Sequence, residues 1–383
     1  MKDEAAGARS QRRDPRPFGG RSPRSVSSLE RRRSLPVFLT ALFLLTALFL
    51  AACSEDSTEP LPPETAEVGV VMSSVDLSLT IFEVENLAQT RTVGLGPAGS
   101  PVTMAVRGEL AAVPLGFVPA VAVVDLRGAT LLRTVGLPEG SGATGVAFLN
   151  DSIVLVANPS LNSVTPVNVL AGTTGADVLV GRFPQAVVAA GGRAFVLNAE
   201  LDESFAPDGP STVSVIDGVS LQVTSTVTLS GENAAAGAMG ADGRLYIVNS
   251  GSFGAADGSL SIVDLTNLTE VANHPGFGEF PGSLALGPSA GAFVGSFSYG
   301  VAIWDASLNA FIREPSLALA PGGVASTSGL GFDEAGKLYT LTPDCQTPST
   351  ANRHDGAYAV DVTIPVGICP FVVAFTLVED ATP

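Results

Sequence analysis

The chain has 383 residues, with 42 glycines, 27 prolines and only 15% charged side chains. A single compact core stops growing near ~250–300 residues, so the chain needs several domains or a fold that grows by repetition. Charge is divided by position: residues 1–52 hold 10 Lys/Arg and 4 Asp/Glu, whereas residues 53–383 hold 10 and 33, a net −23. A body this acidic repels phosphates, which argues against DNA or RNA as a partner.

The first predicted element is an address. Residues 35–52, LPVFLTALFLLTALFLAA, are almost wholly apolar and follow Arg31, Arg32 and Arg33, the basic and apolar regions of an export signal. The end of the stretch, Leu50-Ala51-Ala52-Cys53, resembles the lipobox of bacterial lipoproteins. That resemblance implies cleavage before Cys53, lipidation of Cys53, and a membrane anchor of several acyl chains where one would be marginal. A transmembrane anchor, for which the stretch is barely long enough, and an ordinary signal peptide are the alternatives. By analogy with lipoprotein sorting, Ser54 after the cysteine points to the outer membrane or cell surface of a bacterial envelope rather than the inner membrane. Residues 54–66, SEDSTEPLPPETA, carry no apolar pattern and read as a tether. The expected organisation is a lipoprotein signal peptide over 1–52, a disordered tether over 53–66 and a folded domain over 67–383.

From residue 67 the pattern is one of strands and turns, with no amphipathic helix. Short runs of Val, Ile, Thr and Leu alternate with clusters of Gly, Pro, Asn and Asp, as strands and turns do. In VTSTVTL, Thr224, Thr226 and Thr228 share one face of a strand, and Val223, Val227 and Leu229 the other.

A repeat organises these strands. RTVGL starts at Arg91 and again at Arg133. Eight residues before each copy, an acidic residue closes an apolar strand, at Glu83 and Asp125. Following that station gives Asn168, Asp217, Asp264, Asp305 and Asp361, a spacing of about 46 residues, and periods of this size mean solenoids or propellers. The preceding strand often ends in asparagine, at Asn158, Asn198 and Asn249. Before it stands a Gly-Arg or Gly-Lys turn (Gly192-Arg193, Gly243-Arg244, Gly336-Lys337), and Pro184, Pro281 and Pro321 open strands. Each unit thus reads as four strands, with the station residue capping a turn as an Asx turn and RTVGL as the outer strand.

These units, VANPSLNSVTPVNVLAGTTGADVLVGRFPQAV and STVSVIDGVSLQVTSTVTLSGENA above all, resemble the YVTN or YncE-like β-propeller repeat family over residues 67–378. The resemblance implies an all-β fold: a β-propeller of four-stranded antiparallel blades. Seven stations point to seven blades, with six or eight the alternatives. The first unit has three clear strands, beginning at residues 68–72. Residues 370–377 are expected to supply its fourth and close the ring.

Little chemistry is marked. Cys345 and Cys369 fall in the last unit, where an exported setting permits a disulfide; two free thiols, or a metal pair with nearby His354, are the alternatives. His274 and His354 stand in loop-like contexts and read as surface histidines. The chain lacks a G-x-S-x-G elbow, an H-E-x-x-H helix, a phosphate-binding glycine loop and a haem C-x-x-C-H. Trp304 reads as blade core. The acidic loop 199–211, with Glu200, Asp202, Glu203 and Asp208, offers oxygen ligands that calcium favours, without EF-hand spacing. No other cofactor is expected.

The resulting expectation is a monomeric, lipid-anchored, non-catalytic propeller. It serves as a binding scaffold for an unidentified protein, peptide or glycan of the envelope or its surroundings. The alternative is a metal-dependent lactonase-like hydrolase, whose metal would be held by carboxylates and an asparagine from separate blades at the channel mouth. A redox protein is a weaker third reading.

Overall fold

A computed structural model describes residues 65–289 and 291–379. The stretch read as an export signal, Cys53 and the stretch read as a tether up to residue 64 lie outside the described residues.

The described chain is a seven-bladed β-propeller. Strands β1 (Thr65–Ser73), β2 (Ser78–Glu83) and β3 (Thr90–Gly94) begin blade I. Blade II is β4 (Ala105–Arg107), β5 (Leu110–Pro114), β6 (Ala120–Asp125) and β7 (Thr130–Gly136). Blade III is β8 (Val146–Phe148), β9 (Ile153–Asn158), β10 (Ser163–Asn168) and an outer strand split into β11 (Thr173–Thr174) and β12 (Val178–Leu179). Blade IV is β13 (Pro184–Ala190), β14 (Arg193–Asn198), β15 (Thr212–Asp217) and β16 (Val223–Thr228); blade V is β17 (Ala234–Met239), β18 (Arg244–Asn249), β19 (Ser259–Asp264) and β20 (Thr269–Pro275). Blade VI is β21 (Pro281–Leu286), β22 (Gly291–Ser296), β23 (Gly300–Asp305) and β24 (Ala310–Arg313); blade VII is β25 (Leu330–Phe332), β26 (Leu338–Leu341), β27 (Pro348–His354) and β28 (Val360–Ile368). The last strand, β29 (Pro370–Glu379), returns to blade I and pairs with β1, giving the order β29-β1-β2-β3. The expected closure therefore forms. It starts at Thr65, whose partner is Glu379, so β1 takes in Thr65 and Ala66 from the stretch read as tether.

The innermost strands β29, β4, β8, β13, β17, β21 and β25 touch one another in that cyclic order, closing a ring around a central channel. Small residues allow the approach: a Cβ on Gly145 would sit 2.5 Å from the main-chain oxygen of Gln185 on the next blade. The middle strands are pressed between neighbouring blades, so both their faces are buried. That is why β6 reads as an unbroken apolar run, and why β2 and β19 place only small Ser or Thr between their apolar residues. Outer strands face solvent on one side and alternate.

The alternation has a recurring break. In blades II, IV, V and VI the outer strand carries a β-bulge against its neighbour, at the turn end of the pair. The bulge corrects the reading of β16: Val227 and Leu229 are buried as expected, but Val223 lies beyond the bulge and is exposed. Bulges strengthen local twist and spoil an edge as a template for another strand.

Both RTVGL copies fall on outer strands, β3 and β7. The station residues from Glu83 to Asp305 close the third strands, and from Asp125 to Asp305 their side chains cap the following turn. Asp217 Oδ1 accepts from the Val219 and Ser220 amides at 3.2 and 2.8 Å, Asp264 from Thr266 and Asn267 at 2.7 and 3.1 Å, and Asp305 from Ser307 and Leu308 at 2.8 and 3.0 Å. The seventh station is misplaced by the sequence reading. Asp361 lies in outer strand β28 and pairs with Arg353; the residue that caps the turn is Asp355, which accepts from Ala357 and Ala359 at 2.8 and 2.9 Å. Pro321 likewise opens a 3-10 turn (Pro321–Gly323) rather than a strand. Among the described residues no helix is long and apolar enough to cross a membrane.

Candidate functional site

Antiparallel blades have two distinct faces. Loops joining second to third strands, and loops joining each outer strand to the next innermost strand, emerge on one face. The first-to-second and third-to-fourth turns emerge on the other. Thr65 starts β1, and Glu379 ends β29, on that second face. The first face holds the channel mouth, a cavity of about 590 Å³.

One belt of hydrogen bonds builds this mouth. Thr103 donates its hydroxyl to the Thr144 main-chain oxygen, and Thr144 donates in turn to that of Gln185 at 3.2 Å. Gln185 Nε2 donates to Asn233 Oδ1 at 2.9 Å, and Ser250 Oγ to the Pro281 carbonyl at 2.7 Å. The Thr327 amide donates to the Ser296 carbonyl at 2.9 Å. These bonds link blades II through VII in sequence. The lining is therefore uncharged and mixed, with hydroxyls, an amide and main chain set among apolar side chains, and Phe297 and Phe371 at its rim. Ser328 lines it too; it is only 8% exposed, and its Oγ has no partner. The lining contains no Asp, Glu, Asn or His, the groups a channel-mouth metal of the lactonase kind would need. Among the described residues no three His, Cys, Asp or Glu side chains converge.

The recurrent asparagines lie elsewhere, buried between the second and third strands. Asn158 Nδ2 donates to Ser163 Oγ and Thr165 Oγ1 at 3.1 and 2.8 Å. Asn198 does the same to Thr212 and Ser214, both at 3.0 Å, and Asn249 to Ser259 and Ser261 at 3.1 and 2.8 Å. They tie the two strands together where the loop begins.

In the acidic loop, Asp202 Oδ1 accepts from the amides of Ser204 and Ala206 at 2.8 and 3.0 Å, so it shapes the loop's own turn. The Ser204 hydroxyl and these amides hold its carboxyl below the usual range. Glu200 accepts from Thr212, and the Arg182 guanidinium bridges Glu200 and Asp208 at 3.4 and 2.8 Å. A cation from the protein itself thus stands between two of the four carboxylates.

Both histidines depart from the surface reading. His354 ends β27 and is 1% exposed. His274 lies in β20 and packs on Trp304, ring centroids 4.6 Å apart. Burial lowers the pKa of each. Trp304 is blade core as expected, 7% exposed between Phe277 and Phe311. Cys345 and Cys369 form a disulfide, fastening the second-to-third loop of blade VII to the residue before β29.

A feature missed by the sequence reading marks the mouth face. Phe117, Phe205, Phe253 and Phe297 are 68, 66, 89 and 47% exposed. All four stand in second-to-third loops. The visible signal was a Ser-Phe pair recurring at 204–205, 252–253 and 296–297.

The fold and mouth define the class: a seven-bladed β-propeller with an uncharged channel mouth. No protein-family model matches the chain, and no curated protein matches it. Among 1160 matching chains of solved structures, the hydrazine synthase of Kuenenia stuttgartiensis aligns with a TM-score of 0.61 and 14% identity, over 75% of this chain and 97% of that one. At that identity the likeness is one of fold alone.

Proposed function

We propose that this protein is a lipid-anchored extracytoplasmic scaffold that binds a ligand of the cell envelope or its surroundings at the mouth face of its propeller. The observation that carries the reading is the mouth itself: a cavity of about 590 Å³ with an uncharged, hydroxyl-rich wall and rim phenylalanines, on the face opposite the entry of the chain at Thr65. Such a concave surface with a few polar groups suits binding. The Cys345–Cys369 disulfide supports an oxidising compartment, and the lipobox-like Leu-Ala-Ala-Cys53 supports the anchor. YVTN or YncE-like repeats remain the family that the repeat pattern most resembles.

The test has two arms. Expressed in a bacterial host, the full chain is expected to incorporate labelled palmitate and partition into detergent, and Cys53→Ser to do neither. Equal partition of the two would discard the lipid anchor. Purified in detergent, it is then screened by thermal melting against cell-wall fragments, extracellular polysaccharide fragments and peptides. A ligand of the folded state raises the midpoint, and Ser328→Leu, which fills the cavity wall, is expected to abolish the rise. A rise unchanged by Ser328→Leu would remove the site from the mouth.

A further inference from the structure

The mouth face differs from the opposite face in two independent ways. The first is aromatic. Its four exposed phenylalanines are accompanied by a second set at the starts of the innermost strands, and the two sets touch. Phe205 packs edge-on to Phe183, with centroids 5.4 Å apart, Phe253 edge-on to Phe280 at 5.0 Å, and Phe297 against Phe371 at 6.1 Å. Phe183 and Phe280 both take positive φ, 52° each, immediately before the proline that opens their blade. The equivalent residue of blade V is Asn233, with φ 57°, a residue that tolerates this conformation. Phenylalanine there is strained, and what it gains is a ring supporting its exposed partner.

The second difference is charge. The loops of the mouth face carry eleven acidic side chains and one basic, Arg182, which is itself bonded to Glu200 and Asp208. The other nine basic residues among the described residues lie in strands or on the opposite face. At the centre, the buried Ser328 hydroxyl lacks a partner.

From this we infer that the mouth face docks a basic polypeptide, with its Lys or Arg side chains against the acidic loops and over the exposed Phe rings, and a polar group entering the mouth towards Ser328. Complementary charge steers and selects such a partner. Aromatic rings add cation–π contact, most often with Arg. This inference rests on the proposed binding role and deepens it by naming the partner's chemistry.

Binding of a labelled arginine-leucine alternating peptide to the full chain in detergent tests it, with a glutamate-leucine peptide and a neutral cell-wall oligosaccharide alongside. Three variants are compared, each checked for an unchanged melting profile: Phe205→Ser/Phe253→Ser, Glu203→Lys/Glu232→Lys/Glu279→Lys, and, on the opposite face, Val219→Ser/Leu308→Ser. The arginine peptide is expected to bind saturably and more weakly as salt rises. The two mouth-face variants should each weaken it by at least about tenfold, and the opposite-face variant should leave it unchanged. Equal loss or equal retention across all three variants would overturn the inference, because binding would then follow overall acidity. Binding of the neutral oligosaccharide in place of the peptide, lost in the phenylalanine variant, would overturn the basic partner and leave the scaffold reading standing. If no probe binds, the inference fails, and the scaffold reading is judged by the ligand screen.

Discussion

The ring of His354 lies 3.0 Å from the carbonyl oxygen of Tyr358 through Nδ1 and 2.9 Å from the Thr340 hydroxyl through Nε2. A carbonyl only accepts, so Nδ1 carries the hydrogen; burial disfavours a second proton on the ring, so Nε2 accepts from Thr340. The buried ring is a neutral imidazole fastening the end of blade VII.

That arrangement predicts a pH dependence. Burial lowers the pKa of His354, outweighing the opposite pull of Asp355 and Asp361, and burial lowers that of His274 too. Below the ordinary histidine value of about 6.5 the unfolded chain takes up protons that the folded one does not, so stability present above that pH is lost as pH falls through the lowered folded values. The melting midpoint should drop as pH is lowered from about 7 to about 5. His354→Gln keeps a donor and an acceptor but does not titrate, so it should flatten the slope, leaving the part due to His274. A slope equal to that of the parent would remove His354 as its source.

Asn198 holds two hydroxyls at once, those of buried Ser214 and half-buried Thr212, and its Oδ1 is buried without a partner. Asn198→Ala should cost about 1–3 kcal/mol in urea unfolding. Asn198→Asp should cost more, because it buries a charge beside hydroxyls. If both variants unfold at the parent's urea midpoint, the asparagine does not hold the strands together.

The Cys345–Cys369 bridge spans 24 residues. Constraining a loop of this size in the unfolded chain is worth roughly 3–4 kcal/mol. Reduction should lower the melting midpoint by several degrees and speed amide exchange in β29 before other strands. Uniform exchange across all blades would show that the bridge does not guard the closure.

Arg182 occupies the space between Glu200 and Asp208, and Asp202 serves its own turn. Treatment with EDTA followed by calcium should therefore leave the midpoint of the parent unchanged. A calcium-dependent rise would establish a bound cation, and its loss in Asp208→Asn would place it in this loop.

The fold was legible because each blade repeats its local chemistry. A station side chain must cap a turn, the adjoining strand must survive burial on both faces, and the result is a period that the sequence displays. The last blade was the hardest to read. Asp361 follows an apolar residue as the true stations do, but the cap is Asp355, placed after a histidine in the polar string NRHDG. The same string made His354 look exposed; only the pairing of β26 with β27 brings it to Thr340. The mouth was illegible for a different reason. Thr103, Thr144, Gln185 and Ser250 come from separate blades, each common in type and unmarked by its neighbours. The Ser-Phe recurrence was visible but carries meaning only once the loops are known to share a face.

The latch between the first and last strands has a mechanical consequence. A force applied at Thr65, on the face opposite the channel mouth and directed away from it, runs along β1. It pulls against β29 and β2 in shear. The pairs from Thr65–Glu379 to Ser73–Pro370 then bear the load together, instead of opening one after another as they would if peeled. A pull applied there thus loads the ring's seam in its strongest direction, with the channel mouth at the far end of the strands.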